Sequence, residues 1–124
     1  MPRRTLFHGA NGDEILSIIA GGVMRPDSDG VVYFGAGSYA DCFMHGADKK
    51  RKATFVIEVD VDILASARAL TVSTQGVAQT LKVFTTVPLP CTVRRLAIRE
   101  PRSASVTWIQ GSDAIAGYLQ ARQS

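Results

Sequence analysis

The chain has 124 residues, 46% of them hydrophobic and 20% charged, with a formal net charge of +3. That length suits one domain spanning residues 1–124, and the balance excludes disorder, a collagen-like repeat and, with two cysteines, a disulfide scaffold or a zinc quartet. No apolar run approaches the roughly eighteen residues of a membrane span. Met1-Pro2-Arg3-Arg4 leads straight into a strand-like run without an apolar leader core, so a cytoplasmic setting and no membrane partner are expected.

The charge is uneven: residues 1–81 hold eight basic and nine acidic side chains, whereas residues 82–124 hold six basic and two acidic. A basic second half can face phosphates or simply be solvated.

In chain order, Thr5-Leu6-Phe7-His8 reads as a first strand ending at Gly9. Asn11 to Gly22 reads as a helix capped by Asn11 or Asp13, with Ile15, Leu16, Ile18 and Ile19 as its apolar face and Gly21-Gly22 as its stop. The turn-rich Arg25–Gly30 leads into a short strand, Val31-Val32-Tyr33-Phe34, broken by Gly35 and Gly37. Ser38 can cap a second helix to about Ala47, followed by the basic run Lys49–Lys52. Thr54 to Val61 is the clearest strand: Phe55, Ile57, Val59 and Val61 alternate with polar residues, and Val56 breaks the polar side. Asp62 to Gln79 is ambiguous, with helical turns expected at Ile63-Leu64-Ala65 and near Val77. Leu81–Thr85, Thr92–Arg99 and Val106–Ile109 read as later strands, with Pro88 and Pro90 separating the first two. Ser112 can cap a final helix to about Arg122, burying Ile115, Tyr118 and Leu119. This order implies an α+β fold, with small helices around a split, mostly antiparallel sheet.

Two segments carry candidate chemistry. In Phe7-His8-Gly9-Ala10, a strand-end imidazole sits beside a glycine that lets a flat ligand approach the backbone. In Val31-Val32-Tyr33-Phe34-Gly35 followed by Ser38-Tyr39-Ala40, a tyrosine leaving a strand offers a stacking surface and a serine a hydroxyl donor. The plain alternatives are a histidine finishing a strand and an aromatic strand packing into a core. Alternation puts Tyr33 and Phe34 on opposite faces, so one of them needs another role.

Together these segments resemble the ADP-ribosyltransferase superfamily on its diphtheria-toxin and poly(ADP-ribose) polymerase side. Members open their catalytic domain with aromatic-His-Gly-small, then a short helix, then a strand reading Val/Ile-Tyr-Phe-small. The resemblance is specific over roughly residues 4–60. It implies that NAD, as substrate, lies in a cleft between the halves of a split sheet. His8 would hold a ribose hydroxyl, the Gly9 backbone and Ser38 the carboxamide, and Tyr33, with Tyr39, would stack near the nicotinamide. The implied activity is mono-ADP-ribosyl transfer to a protein or nucleic-acid acceptor. Compact bacterial relatives act as toxins or effectors, which implies an immunity or antitoxin protein as partner.

The family's third element, usually a glutamate at the start of a late strand, falls on Thr80 when Leu81-Lys82-Val83-Phe84 and Val87-Pro88 are matched to that strand and its exit. Threonine carries no charge to stabilise an oxocarbenium-like transition state, and losing such a term commonly costs on the order of a hundredfold in rate. Gln75 and Gln79 are neutral neighbours; Asp60 and Asp62 are candidates for a displaced carboxylate. Three alternatives follow: a member that binds NAD or an ADP-ribose-like ligand without efficient transfer, an enzyme acting on RNA 2′-phosphates, and a non-enzymatic nucleic-acid module using the basic second half, where Arg94, Arg95, Arg99 and Arg102 alternate partly along one strand and could line an acceptor or pyrophosphate surface.

Overall fold

The computed structural model describes residues 3–35, 55–74, 78–99 and 106–123. Its elements are β1 (Arg3–Ala10), α1 (Gly12–Gly21), β2 (Val23–Met24), β3 (Val31–Gly35), β4 (Phe55–Asp62), β5 (Arg68–Thr74), β6 (Ala78–Phe84), β7 (Leu89–Arg99), β8 (Val106–Gln110) and α2 (Ser112–Gln123). The strands form one sheet in the order β2-β7-β4-β1-β3-β6-β5, with β8 also pairing β7. Every described pairing is antiparallel. The fold is therefore α+β: a mostly antiparallel sheet with two small helices among the described residues. No helix among them is long and apolar enough to cross a membrane.

One face of the sheet makes the core. Phe55, Ile57, Val59 and Val61 of β4, Leu6 and Ala10 of β1, Val93 and Leu96 of β7, and Phe34 of β3 are buried there. The helices close it with Ile15 and Ile18 from α1 and Ile115 and Leu119 from α2. This is the alternation expected of β4, and Val56 is also fully buried, in a small second cluster with Ala97, Phe7, Val106 and Trp108 on the opposite face.

Local chemistry sets the ends of α1. The Asn11 side chain accepts from the Glu14 backbone N–H at 2.8 Å, and Gly22, at φ 67°, closes the helix by donating its N–H to Ile18 O. The left-handed conformation at Gly22 favours glycine because any Cβ is strained there.

Two strands exceed the sequence reading. Residues 63–67 form a turn, with Ala67 N–H donating to Leu64 O, but it leads directly into β5. That strand escaped detection because it is an edge: Ala69, Leu70 and Thr71 are all exposed, so the inside–outside alternation that marks a strand is missing. The expected turn near Val77 lies outside the described residues. The two-residue β2 pairs Val23 with Pro90 and Met24 with Leu89, so β7 starts before Thr92. Proline is accommodated because it sits at the strand's beginning, and the next amide, Cys91 N–H, donates to Gly22 O.

Two irregularities shape the sheet. Between Glu58 and Val59 the pairing with β7 slips, so Arg94 is an extra residue between Val93 and Arg95. Among the described residues, β1 and β3 share one register pair, Phe7 with Gly35, while β1 pairs β4 along its whole length. From His8 to Ala10 the backbone of β1 and that of Val31–Phe34 therefore diverge, and the sheet forks.

Candidate functional site

The fork is where the two sequence motifs meet. Phe7 and Gly35 face each other and share a sheet face, so His8 points to the opposite, helix-covered side, where its ring lies 6.1 Å from that of Phe34. Its Nδ1–H donates to the carbonyl oxygen of Tyr33 at 2.7 Å. A side chain thus bridges the strands where their ladder stops. Nε2 points to the first turn of α1, 3.3 Å from Glu14 Oε1. The His8 side chain is 14% exposed and that of Glu14 50%, so the pair opens to solvent on its glutamate side.

Tyr33 and Thr80 lie on the other face. Tyr33 is the register partner of Lys82 on β6, and Gly35 that of Thr80. The Lys82 ammonium sits 5.7 Å from the centre of the Tyr33 ring. Thr80 is half-buried and stands across from a glycine that has no side chain to crowd it. The structure thus brings the strands of His8, Tyr33 and Thr80 together as adjacent neighbours, β1-β3-β6. It puts Tyr33 and Thr80 on one face and the imidazole on the other. Gly9 is on β1 opposite Val56. Ser38 and Tyr39 lie outside the described residues, as do the helix expected from Ser38, Cys42, His45, Lys49–Lys52, Gln75 and Arg102. So do the side chains of Gln79 and Arg99.

The displaced-carboxylate candidates are engaged elsewhere. Asp60 accepts from the Thr5 hydroxyl at 2.6 Å and lies 3.6 Å from Arg94, while Asp62 is 3.9 Å from Arg3. Their register partners on β1 are Thr5 and Arg3, so both sit toward the far end of that strand from His8. Arg94 and Arg95 of β7 are likewise matched with acids: Arg95 binds Glu58 at 3.0 Å and stacks 3.8 Å from the centre of the Trp108 indole. The bulge turns Arg94 and Arg95 to one side, where Asp60 and Glu58 offset the positive charge that the composition of the second half suggests. Among the described residues no three His, Cys, Asp or Glu side chains converge as metal ligands.

Sequence reasoning missed two acidic residues. Glu14 carried a signal, because Asn-x-x-Glu at the head of a helix is a capping-box spacing; here the carboxylate lies 3.3 Å from His8 Nε2. Glu58 carried none, being one polar position in an alternating strand whose burial with Arg95 depends on the bulge. No family model, curated protein or solved structure matches the chain.

Proposed function

We propose that the chain is a small NAD-dependent mono-ADP-ribosyltransferase of the His-Tyr type, acting on a protein or nucleic-acid acceptor. The observation that carries the reading is the adjacency of β1, β3 and β6: the three segments singled out by resemblance, far apart in the chain, are neighbours in the sheet. The fork at His8 supports it further, because a ligand seated between diverging strands reaches backbone groups that a continuous ladder would occupy.

In this reading His8 has two tasks. Nδ1 stays on Tyr33 O and fixes the ring; Nε2 turns to a ribose hydroxyl. The Gly9 backbone admits the flat carboxamide, and the Tyr33 ring, backed by the Lys82 cation, flanks the nicotinamide end. Reaction breaks the bond between C1′ of the ribose and the pyridinium nitrogen, which leaves as neutral nicotinamide. An acceptor oxygen or nitrogen bonds to C1′ and loses its proton. A histidine and a tyrosine supply orientation for this step.

One observation favours a second reading, that of a binder without efficient transfer: β3, β5 and β6 contain no Asp or Glu, so nothing on those strands stabilises positive charge on the ribose. Incubation with NAD labelled in its adenylate half and a cell lysate separates the two. Label entering protein or nucleic acid supports transfer; release of free ADP-ribose alone marks a glycohydrolase. NAD binding without turnover marks the binder, and absence of NAD binding removes the whole reading.

A further inference from the structure

We propose that β5 takes up an extended acidic segment of a partner protein as an added strand along its free edge. The inference goes beyond the NAD reading and does not depend on it. β5 ends the sheet, with β6 as its neighbour among the described residues. Its register with β6 runs unbroken from Arg68–Phe84 to Thr74–Ala78, and the strand holds no proline. In an antiparallel pair, alternate main-chain groups point away from the neighbour, so an edge strand carries a row of unpaired N–H and C=O groups. Ala69, Leu70 and Thr71 are exposed, and Leu70, at 48%, is the most exposed large apolar side chain among the described residues. Edges are commonly closed by lysines, prolines, bulges or a covering element. Here Arg68, at the start of the strand, is the one charged residue.

Charge chooses the occupant. Arg68, Leu70 and Val72 stand opposite Phe84, Lys82 and Thr80 of β6, so all six share one face. β3, β5 and β6 contain no Asp or Glu. The Arg68 guanidinium lies 5.2 Å from the centre of the Phe84 ring and the Lys82 ammonium 5.7 Å from that of Tyr33. Neither cation has a carboxylate partner among the described residues, whereas Arg94 and Arg95 are matched by Asp60 and Glu58. A strand added to β5 sets its side chains beside those of β5 at Cβ separations of about 4.5–5.5 Å. A carboxylate opposite Arg68 and a branched apolar residue opposite Leu70, two positions apart, complete this face. A second copy of β5 would instead bring a second arginine and no carboxylate. A nucleic acid would meet the cations but leave the main-chain edge unpaired.

The probe is a fluorescently labelled, blocked nonapeptide in which glutamate, threonine, valine and threonine repeat, titrated by anisotropy beside the same peptide with lysine for glutamate. The glutamate peptide is expected to bind at least about tenfold more tightly, as opposite rather than like charges across a strand pair require. It should also slow backbone amide exchange over residues 68–74. Arg68→Glu, a change at an exposed side chain, should reverse the preference toward the lysine peptide. No binding by the wild type, equal binding of the two peptides, or protection elsewhere than residues 68–74 overturns the proposal. A preference unmoved by Arg68→Glu overturns it too. Dimerisation that protects the same amides before any peptide is added gives the edge to a second copy, and a single-stranded oligonucleotide that displaces the peptide at lower concentration gives the face to phosphates; either result overturns the proposal.

Discussion

The imidazole Nδ1–H of His8 donates to the carbonyl oxygen of Tyr33 at the point where the ladder between their strands runs out. The bond gives the Tyr33 carbonyl a side-chain donor beside the fork. One histidine therefore ties the two halves of the sheet together and presents its second nitrogen to α1.

The two duties separate by mutation. Asparagine carries an amide N–H at about the reach of Nδ1 but nothing at Nε2. His8→Asn should therefore stay within about 1 kcal/mol of wild-type stability, whereas His8→Ala removes the donor to the Tyr33 carbonyl and should lose about 1–3 kcal/mol. Both should lose NAD binding. Urea midpoints and calorimetry check this; an asparagine variant that binds NAD normally would show that Nε2 faces no ligand.

Thr80→Glu should raise NAD glycohydrolysis by about tenfold or more, which requires only about 1.4 kcal/mol of transition-state stabilisation. Gly35 opposite leaves room for the longer side chain, and Lys82, two residues along on the same face, helps hold it ionised in the site. Steady-state nicotinamide release gives the measurement, with His8→Ala abolishing it in either background. NAD binding without any gain would show that the third position of the site lies elsewhere than residue 80.

Much of this architecture is legible in local chemistry. The alternation in β4, the Asn11 cap and Gly22 stop of α1, and the apolar face of α2 all follow from short-range rules. What escaped detection depends on partners distant in sequence. The edge strand β5 has no buried alternation, and β2 exists because β7 is there to pair with it. At the site, His8 and Tyr33 stand out by their neighbours in sequence. That the contact runs from a ring nitrogen to a backbone carbonyl, with Tyr33's own ring on the far face, is set by the Phe7–Gly35 register, which no periodicity encodes.

The two arginines at the bulge should differ sharply. Arg94 and Asp60 are 3.6 Å apart with the arginine more than half exposed, so Arg94→Ala should cost no more than about 1 kcal/mol. Arg95 is stacked on Trp108 and bonded to Glu58, whose side chain is only 13% exposed, so Arg95→Ala leaves a carboxylate without its cation among apolar neighbours. A loss of about 2–4 kcal/mol is expected, and Arg95→Ala with Glu58→Gln should recover part of it. Denaturant midpoints of the single and double variants decide; equal effects at both arginines would mean that the bulge does not sort them.

Cys91 is the remaining titratable group with a clear signature. Burial, aided by the negative charge of Asp62, pushes its thiol up to about 11 from 9.0. At pH 8 its thiolate is correspondingly scarce, so alkylation by iodoacetamide should run about a hundredfold slower than for a free cysteine. The folded state holds this proton at pH values where the unfolded chain releases it. The thiol's contribution to stability is therefore intact below pH 9 and lost as pH rises from there through about 11. Asp62→Asn should lower the thiol's value only part of the way, because burial is the larger cause. Peptide-resolved alkylation rates across pH 7–11 check both statements. A Cys91 that reacts like a free thiol in the folded protein would place it in water, and with it the start of β7 beside Gly22.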